Sequence, residues 1–162
     1  MCEVPPPEIT APRITKIEQI IFIALLLIGY NSNSQNLVLG SEKVKDYYPY
    51  IKEQRVAVVG NQTSMIHQTH LVDSLISLGV EVVKVFSPEH GFRGQADAGA
   101  NVSDGIDIKT GRPIISLYGE KGRKPTKDQL NNIDIIIFDI QDVGARFYTY
   151  LSTLHYLSLI HI

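Results

Sequence analysis

Short apolar runs alternate with stretches of helical spacing from Arg55 onward. Arg55-Val56-Ala57-Val58-Val59 is mostly β-branched and ends at Gly60, which predicts a buried strand. His70–Leu78 carries Leu71, Leu75 and Leu78 at helical spacing, with Gly79 as the stop. Val80–Phe86 predicts a second strand and Pro113–Leu117 a third. Within Lys124–Asn131, Thr126 takes the N-cap position of a short helix. Ile133–Ile140, "IDIIIFDI", predicts a fourth strand. Its apolar middle implies burial on both faces and so a place in the middle of a parallel sheet. A helix is expected through Arg146–Leu157, and another around Ser41–Tyr48 in the lead-in Asn36–Gln54. Residues 87–112 are rich in Gly and Asp with little periodicity, and loops of that length are usually functional or disordered.

Strands alternating with helices predict an α/β chain, a parallel sheet with helices on both faces. Ligand sites in such sheets lie beyond the carboxyl ends of the strands. Three polar loops leave strand ends, at Asn61–Ser64, Ser87–Gly94 and Gln141–Arg146, and are expected to converge on one rim.

Upstream, Arg13 and Lys16 precede the apolar run Ile20–Ile28, and Asn31-Ser32-Asn33-Ser34-Gln35 follows it. This is the layout of a secretory signal, with Ser32 and Ser34 at the −3 and −1 positions and cleavage before Gln35. The alternatives are a buried core helix and an uncleaved anchor. The run is short of the roughly 20 residues that span a bilayer. Residues 1–34 are therefore read as signal and leader, and export to a periplasmic or extracellular space is expected. No stable membrane span is expected after cleavage.

Composition narrows the remaining choices. The 162 residues are 44% hydrophobic and 20% charged, which suits one globular domain. The net charge of −2 and the absence of a Lys/Arg run leave no electrostatic footprint for nucleic acid. Cys2 is the sole cysteine, which excludes an internal disulfide and a CxxC zinc site. Gly60 is followed by Asn-Gln-Thr-Ser and not by a phosphate-loop pattern, and no GxSxG elbow occurs. No cofactor is expected. His90, Glu89, Asp139 and Asp142 have no paired-His or HExxH spacing, so no metal site is expected.

The chemistry that remains lies in the three loops. In "SPEHGFRG", Glu89 at a strand end is a candidate general acid. His90 could orient it, and Arg93 could grip a carboxylate in two-pronged fashion. The plainer reading is a polar loop in which Arg93 pairs with Glu89. In "FDIQDVGARFYTY", Gln141, Asp142 and Arg146 emerge at the same rim, and Tyr148 and Tyr150 offer flat surfaces for a sugar ring. Asp142 reads equally well as a helix cap. Asn61 and Thr63 of "GNQTS" can bond hydroxyls or cap a turn.

"VVGNQTS", "FSPEHGFRG", "DIKTGRPIISLYG", "RKPT" and "FDIQDVGARFYTYLST" occur in the order and approximate spacing of the NamZ family of exo-β-N-acetylmuramidases. The chain resembles this family from about Val44 to about Thr153. The resemblance implies a Rossmann-like catalytic domain followed by a smaller second domain, with residues 36–156 as the N-terminal part of the first. It also implies removal of terminal non-reducing N-acetylmuramic acid from peptidoglycan fragments, so the expected partners are muramyl saccharides. Glu89 of the family's PEHG motif would be the catalytic acid. His90 and Arg93 would line the site, with Asn61, Gln141, Asp142 and Arg146 nearby. The charge of Arg93 suits the lactyl carboxylate of muramic acid. The alternative is a non-catalytic peptidoglycan-binding module or an inactive fragment. Members of the family are much longer, and this chain stops at "YLSLIHI" inside a predicted helix. "LSLIHI" also resembles a translated sequencing adapter, so residues 157–162 are expected to be non-native. The segment alone is expected to have little activity, since glycoside hydrolysis usually needs two groups flanking the bond. In the family the second group is a tyrosine, expected in the missing part.

Overall fold

The computed structural model describes residues 15–29, 37–94, 103–118 and 123–161. The chain divides into two compact units, Met1–Leu37 and Val38–Ile162. In the first, helix α1 (Lys16–Gly29) is apolar nearly all round, and Ile17, Ile20, Phe22 and Ile23 are exposed. No described helix is long and apolar enough to cross a membrane. The expected cleavage site at Ser32–Gln35 lies outside the described residues.

The second unit opens with a 3-10 turn (Gly40–Glu42) and α2 (Val44–Ile51). Strand β1 (Arg55–Gly60) follows, then a hairpin of β2 (Met65–Ile66) and β3 (Thr69–His70), and α3 (Leu71–Ser77). Next come β4 (Glu81–Ser87), β5 (Gly105–Ile106), β6 (Pro113–Ser116), α4 (Lys127–Leu130) and β7 (Ile135–Asp139). Helix α5 (Tyr150–Ser158) and a 3-10 turn complete it. The sheet order is β5-β6-β4-β1-β7. Neighbours are parallel except β5, which runs antiparallel to β6. The fold is thus α/β with a mostly parallel sheet.

Successive residues of a strand face opposite sides, and β1 divides cleanly. Val56 and Val58 join Leu71, Val72 and Leu75 of α3 and Ile51 of α2. Ala57 and Val59 join Phe86, Leu117 and Leu157 of α5 on the other face. Helices therefore cover both faces. The two-sided apolar character of β7 has the same origin: Ile135 and Ile137 pack on the first layer, Ile136 and Phe138 on the second.

That origin corrects the expected position of this strand. Among the described strands β7 is outermost, paired with β1 alone, and all five of its residues are only half buried. The central strand is β1, between β4 and β7. An apolar run on both faces reports what covers a strand above and below, and a helix on each side covers an edge strand too.

Local signals hold at several ends. Thr126 caps α4 by accepting from Gln129 N, and Gln129 returns a bond to Thr126 N, a capping box. Gly79 stops α3 at a φ of 81°. The helix expected from Arg146 begins only at Tyr150, after a turn in which Tyr148 N bonds Ala145 O.

Candidate functional site

The three loops at the carboxyl ends of β1, β4 and β7 are bonded to one another. Ser64 Oγ donates to Asp139 O, tying the loop after β1 to the end of β7. Gln141 N donates to Thr63 Oγ1 at 3.2 Å. Thr149 Oγ1 donates to Glu89 Oε2 at 2.8 Å, joining the β4 loop to the start of α5. Gly94 lies so close to Gln62 that a Cβ there would sit 3.0 Å from its side chain. Between these loops lies an open cavity of about 440 Å³ lined by Gln62, Thr63, His90, Gln141, Tyr148 and Tyr150.

Glu89 is next to residues that line this cavity. It precedes His90 in the chain and is bonded to Thr149, which precedes Tyr150, and both His90 and Tyr150 line the space. A turn carries the acid: Gly91 N bonds Pro88 O at 3.2 Å, and His90 has a φ of 71°. Type II turns require a positive φ at this third position, where glycine is the common residue. A histidine held there stores strain of order 1 kcal/mol, a feature that clusters at functional sites.

Asn61 is fully buried behind the cavity. Its Oδ1 accepts from Thr63 N at 2.9 Å and Thr63 Oγ1 at 2.7 Å, while Nδ2 has no hydrogen-bond partner in the described structure. Burial pushes the Tyr150 phenol up, and the Asn61 side chain beside it opposes that shift. The Tyr148 ring lies 5.6 Å from Tyr150 and 6.2 Å from His90. An imidazole, two phenols and the side chains of Gln62, Thr63 and Gln141 thus line this space, with the Glu89 carboxyl and the buried Asn61 amide on neighbouring residues, an arrangement suited to a sugar.

Behind Asn61 stands His70, which in the sequence marks only the start of a helix. Its Nε2 lies 2.9 Å from Asn61 O, and Nδ1 accepts from Val72 N at 3.3 Å. These partners define a neutral ring protonated on Nε2, and burial lowers its pKa. The Phe92 ring meets it edge-on at 4.6 Å.

Not every expected site residue faces the cavity. Asp142 is exposed and accepts from Gly144 N at 2.9 Å, closing its own turn. It does not cap α5, whose N-cap is Thr149. Arg146 is exposed on the same loop. Arg93 is turned away. Its Nε and Nη2 each meet Asp107 at 2.8 Å, and Nη2 also meets Asp73 at 3.0 Å. It pairs neither with Glu89, as expected of a plain polar loop, nor toward the cavity, because the buried Asp107 and the half-buried Asp73 engage it on the α3 side. Asp139 faces a second cavity, of about 370 Å³, beside Tyr47 and Ile51, and burial raises its carboxyl.

Residues 56–159 match the family model described as exo-β-N-acetylmuramidase NamZ, N-terminal. Over 115 residues the chain is 45% identical to peptidoglycan β-N-acetylmuramidase NamZ of Bacillus subtilis, a match that takes in 68% of this chain and 27% of that protein. Two solved structures of DUF1343 family proteins from Bacteroides fragilis are also similar. One aligns at 42% identity with a TM-score of 0.63, over 76% of this chain and 31% of that one. The other aligns at 37% identity with a TM-score of 0.61, over 71% and 29%. The chain therefore spans about a third or less of the length of these relatives. With the family model covering well over half of its residues, the chain belongs to the NamZ N-terminal family.

Proposed function

We propose that the β1, β4 and β7 loops form the acid-bearing side of an exo-β-N-acetylmuramidase site. The reaction would release terminal non-reducing N-acetylmuramic acid from peptidoglycan fragments. Glu89 is the general acid, protonating the oxygen of the leaving sugar. The observation that carries this reading is the Glu89 carboxyl, fixed by Thr149 beside a cavity lined by His90, Tyr148 and Tyr150. The cavity volume of about 440 Å³ suits a small ligand.

Gln141 supplies hydrogen bonds at the cavity wall, and Asn61 stands buried behind it. With Arg93 engaged by Asp107 and Asp73, Arg146, exposed on the loop after β7, is the guanidinium left to reach the lactyl carboxylate on substrate binding. Asp142 shapes the loop that carries Gln141 and Arg146. Glu89→Gln should abolish release of muramic acid from a chromogenic muramide at unchanged melting temperature. Turnover equal to the parent would remove Glu89 from the mechanism. Tight muramide binding with no hydrolysis in any Glu89-containing form of the protein would favour a wall-binding module.

Export and a role in recovering wall sugars complete the proposal. The basic flank, the apolar run and the exposed apolar side chains of α1 support a signal segment. N-terminal sequencing of protein recovered outside the cytoplasm should begin at Gln35. Retention of Met1 in the cytoplasm would refute export.

A further inference from the structure

Thr149 occupies the N-cap position of α5, with φ −88° and ψ −1°, yet its side chain makes no capping bond. Threonine at an N-cap ordinarily accepts from a backbone N–H of the first turn. Here the hydroxyl instead donates to Glu89 Oε2 at 2.8 Å, across sixty residues of chain.

Both ends of this bond are anchored. Thr149 O accepts from Thr153 N at 2.9 Å and Thr153 Oγ1 at 3.1 Å. Thr153, Tyr150 and Leu157 are buried and root the helix in the fold. On the other side, Pro88 is buried and the 88–91 turn fixes the backbone of Glu89. The carboxyl itself would otherwise rotate about three side-chain torsions. Among the described residues no hydrogen bond to Oε1 is present, so Thr149 holds one oxygen and leaves the other without a bond.

We propose that Thr149 is the positioning residue of Glu89. Its hydroxyl pins Oε2, so that the acid proton is carried on Oε1 and presented to the glycosidic oxygen. As that proton crosses, the bond between the anomeric carbon and the oxygen breaks, and its electron pair stays with the oxygen. A water adds hydroxyl to the anomeric carbon, and its remaining proton restores the acid. The charge left on Glu89 in the transition state is met by the Thr149 O–H, already in place. The inference rests on Glu89 being the acid.

Three variants, each made in a full-length protein that carries this segment, test it: Thr149→Val, Thr149→Ser and Glu89→Gln. Side-chain order at Glu89, read by 13C NMR relaxation on glutamate-labelled protein, should be high in the parent and in Thr149→Ser and low in Thr149→Val. With 4-nitrophenyl β-N-acetylmuramide as probe, Thr149→Val should lower kcat by about 10-fold or more, a share of the roughly 10²–10⁴ supplied by acid–base catalysis. KM should stay within about 3-fold, and serine should restore the rate. Equal order at Glu89 in Thr149→Val would overturn the proposal on its own, as would unchanged kcat or a serine variant that does not recover. Wild-type hydrolysis by Glu89→Gln would instead sink the acid assignment and leave the Thr149 bond standing, so the two failures are distinct.

Discussion

Replacing Arg93 with methionine removes a guanidinium from between two carboxylates while keeping an apolar stem beside Phe92. The guanidinium carbon sits 4.9 Å from the Phe92 ring centre. Side-chain exposure is 26% for Arg93, 5% for Asp107 and 9% for Asp73, so solvent screens this cluster little. The bond from Arg93 is the largest cause holding the Asp107 carboxyl down to about 2, against an ordinary 3.8. At about 1.36 kcal/mol per unit, that depression corresponds to roughly 2.5 kcal/mol of stability. Thr110 supplies part of it, through Oγ1 at 2.6 Å and N at 3.2 Å, and Lys109 continues to meet Asp73 at 2.6 Å. The expected cost of Arg93→Met at pH 7 is therefore about 2 kcal/mol, below the 3–5 typical of a buried pair broken outright. Because the folded value is depressed, the unfolded chain binds more protons between about pH 4 and 2. Stability from Asp107 is then present above pH 4 and lost as pH falls toward 2. Urea unfolding followed by circular dichroism at pH 7, 4 and 3 would show this loss in the parent and a flatter profile in the variant. A double-mutant cycle with Asp107→Asn should return a coupling of about 1–3 kcal/mol. A cost under about 0.5 kcal/mol, the level of an ordinary surface change, would refute the assignment of Arg93 to this cluster.

Three further outcomes follow from the geometry. Burial lowers the His70 pKa, so its contribution is present above its unfolded value of about 6.5 and falls away below it. His70→Gln should flatten the fall in melting temperature between pH 7 and 5, and an identical slope would contradict the neutral, buried ring. A Cβ at Gly60 would stand 2.6 Å from the buried Ser64 Oγ, which is itself bonded to Asp139 O. Gly60→Ala should cost about 1–3 kcal/mol in urea unfolding, and a neutral result would mean that the loop yields freely. Arg146→Gln should weaken binding of N-acetylmuramic acid by roughly 10-fold, as expected for one charged hydrogen bond, and leave N-acetylglucosamine unaffected in calorimetry. Equal losses for both sugars would detach Arg146 from the lactyl carboxylate.

The sheet was legible in outline because β1, β4 and β7 are apolar runs ended by Gly60, Ser87 and Asp139. Strand order was not, because no residue in "IIIF" encodes what lies beside it. The hairpin Met65–His70 was missed for a different reason: strands of two residues carry no period, and its turn bends at His67 with a φ of 51° in place of a glycine. Convergence of the loops followed from topology alone. The partners within the site did not. Thr149 looks like any helix-start threonine, and only its 2.8 Å bond to Glu89 distinguishes it. His70 carries no motif, and its place behind Asn61 exists only after the β2–β3 turn forms.

The segment "SPEHGFRG" divides at Gly91, where φ reaches 83° and the chain reverses. His90 lines the cavity, Glu89 before it is held by Thr149, and Pro88 is buried beneath them. Phe92 packs into the core against His70, and Arg93 reaches back to α3 and to the loop holding Asp107. One compact run of charged and aromatic residues therefore has two mechanical roles, an acid presented on a strained turn and an anchor that holds that turn down. The two should separate in the laboratory. Glu89→Gln should remove muramide hydrolysis at full stability. Arg93→Met should lower stability by about 2 kcal/mol and leave hydrolysis per folded molecule nearly intact at low temperature. If Arg93→Met removed activity at unchanged stability, the guanidinium would have to leave Asp107 and Asp73 when substrate binds. The division of the loop at Gly91 would then be wrong.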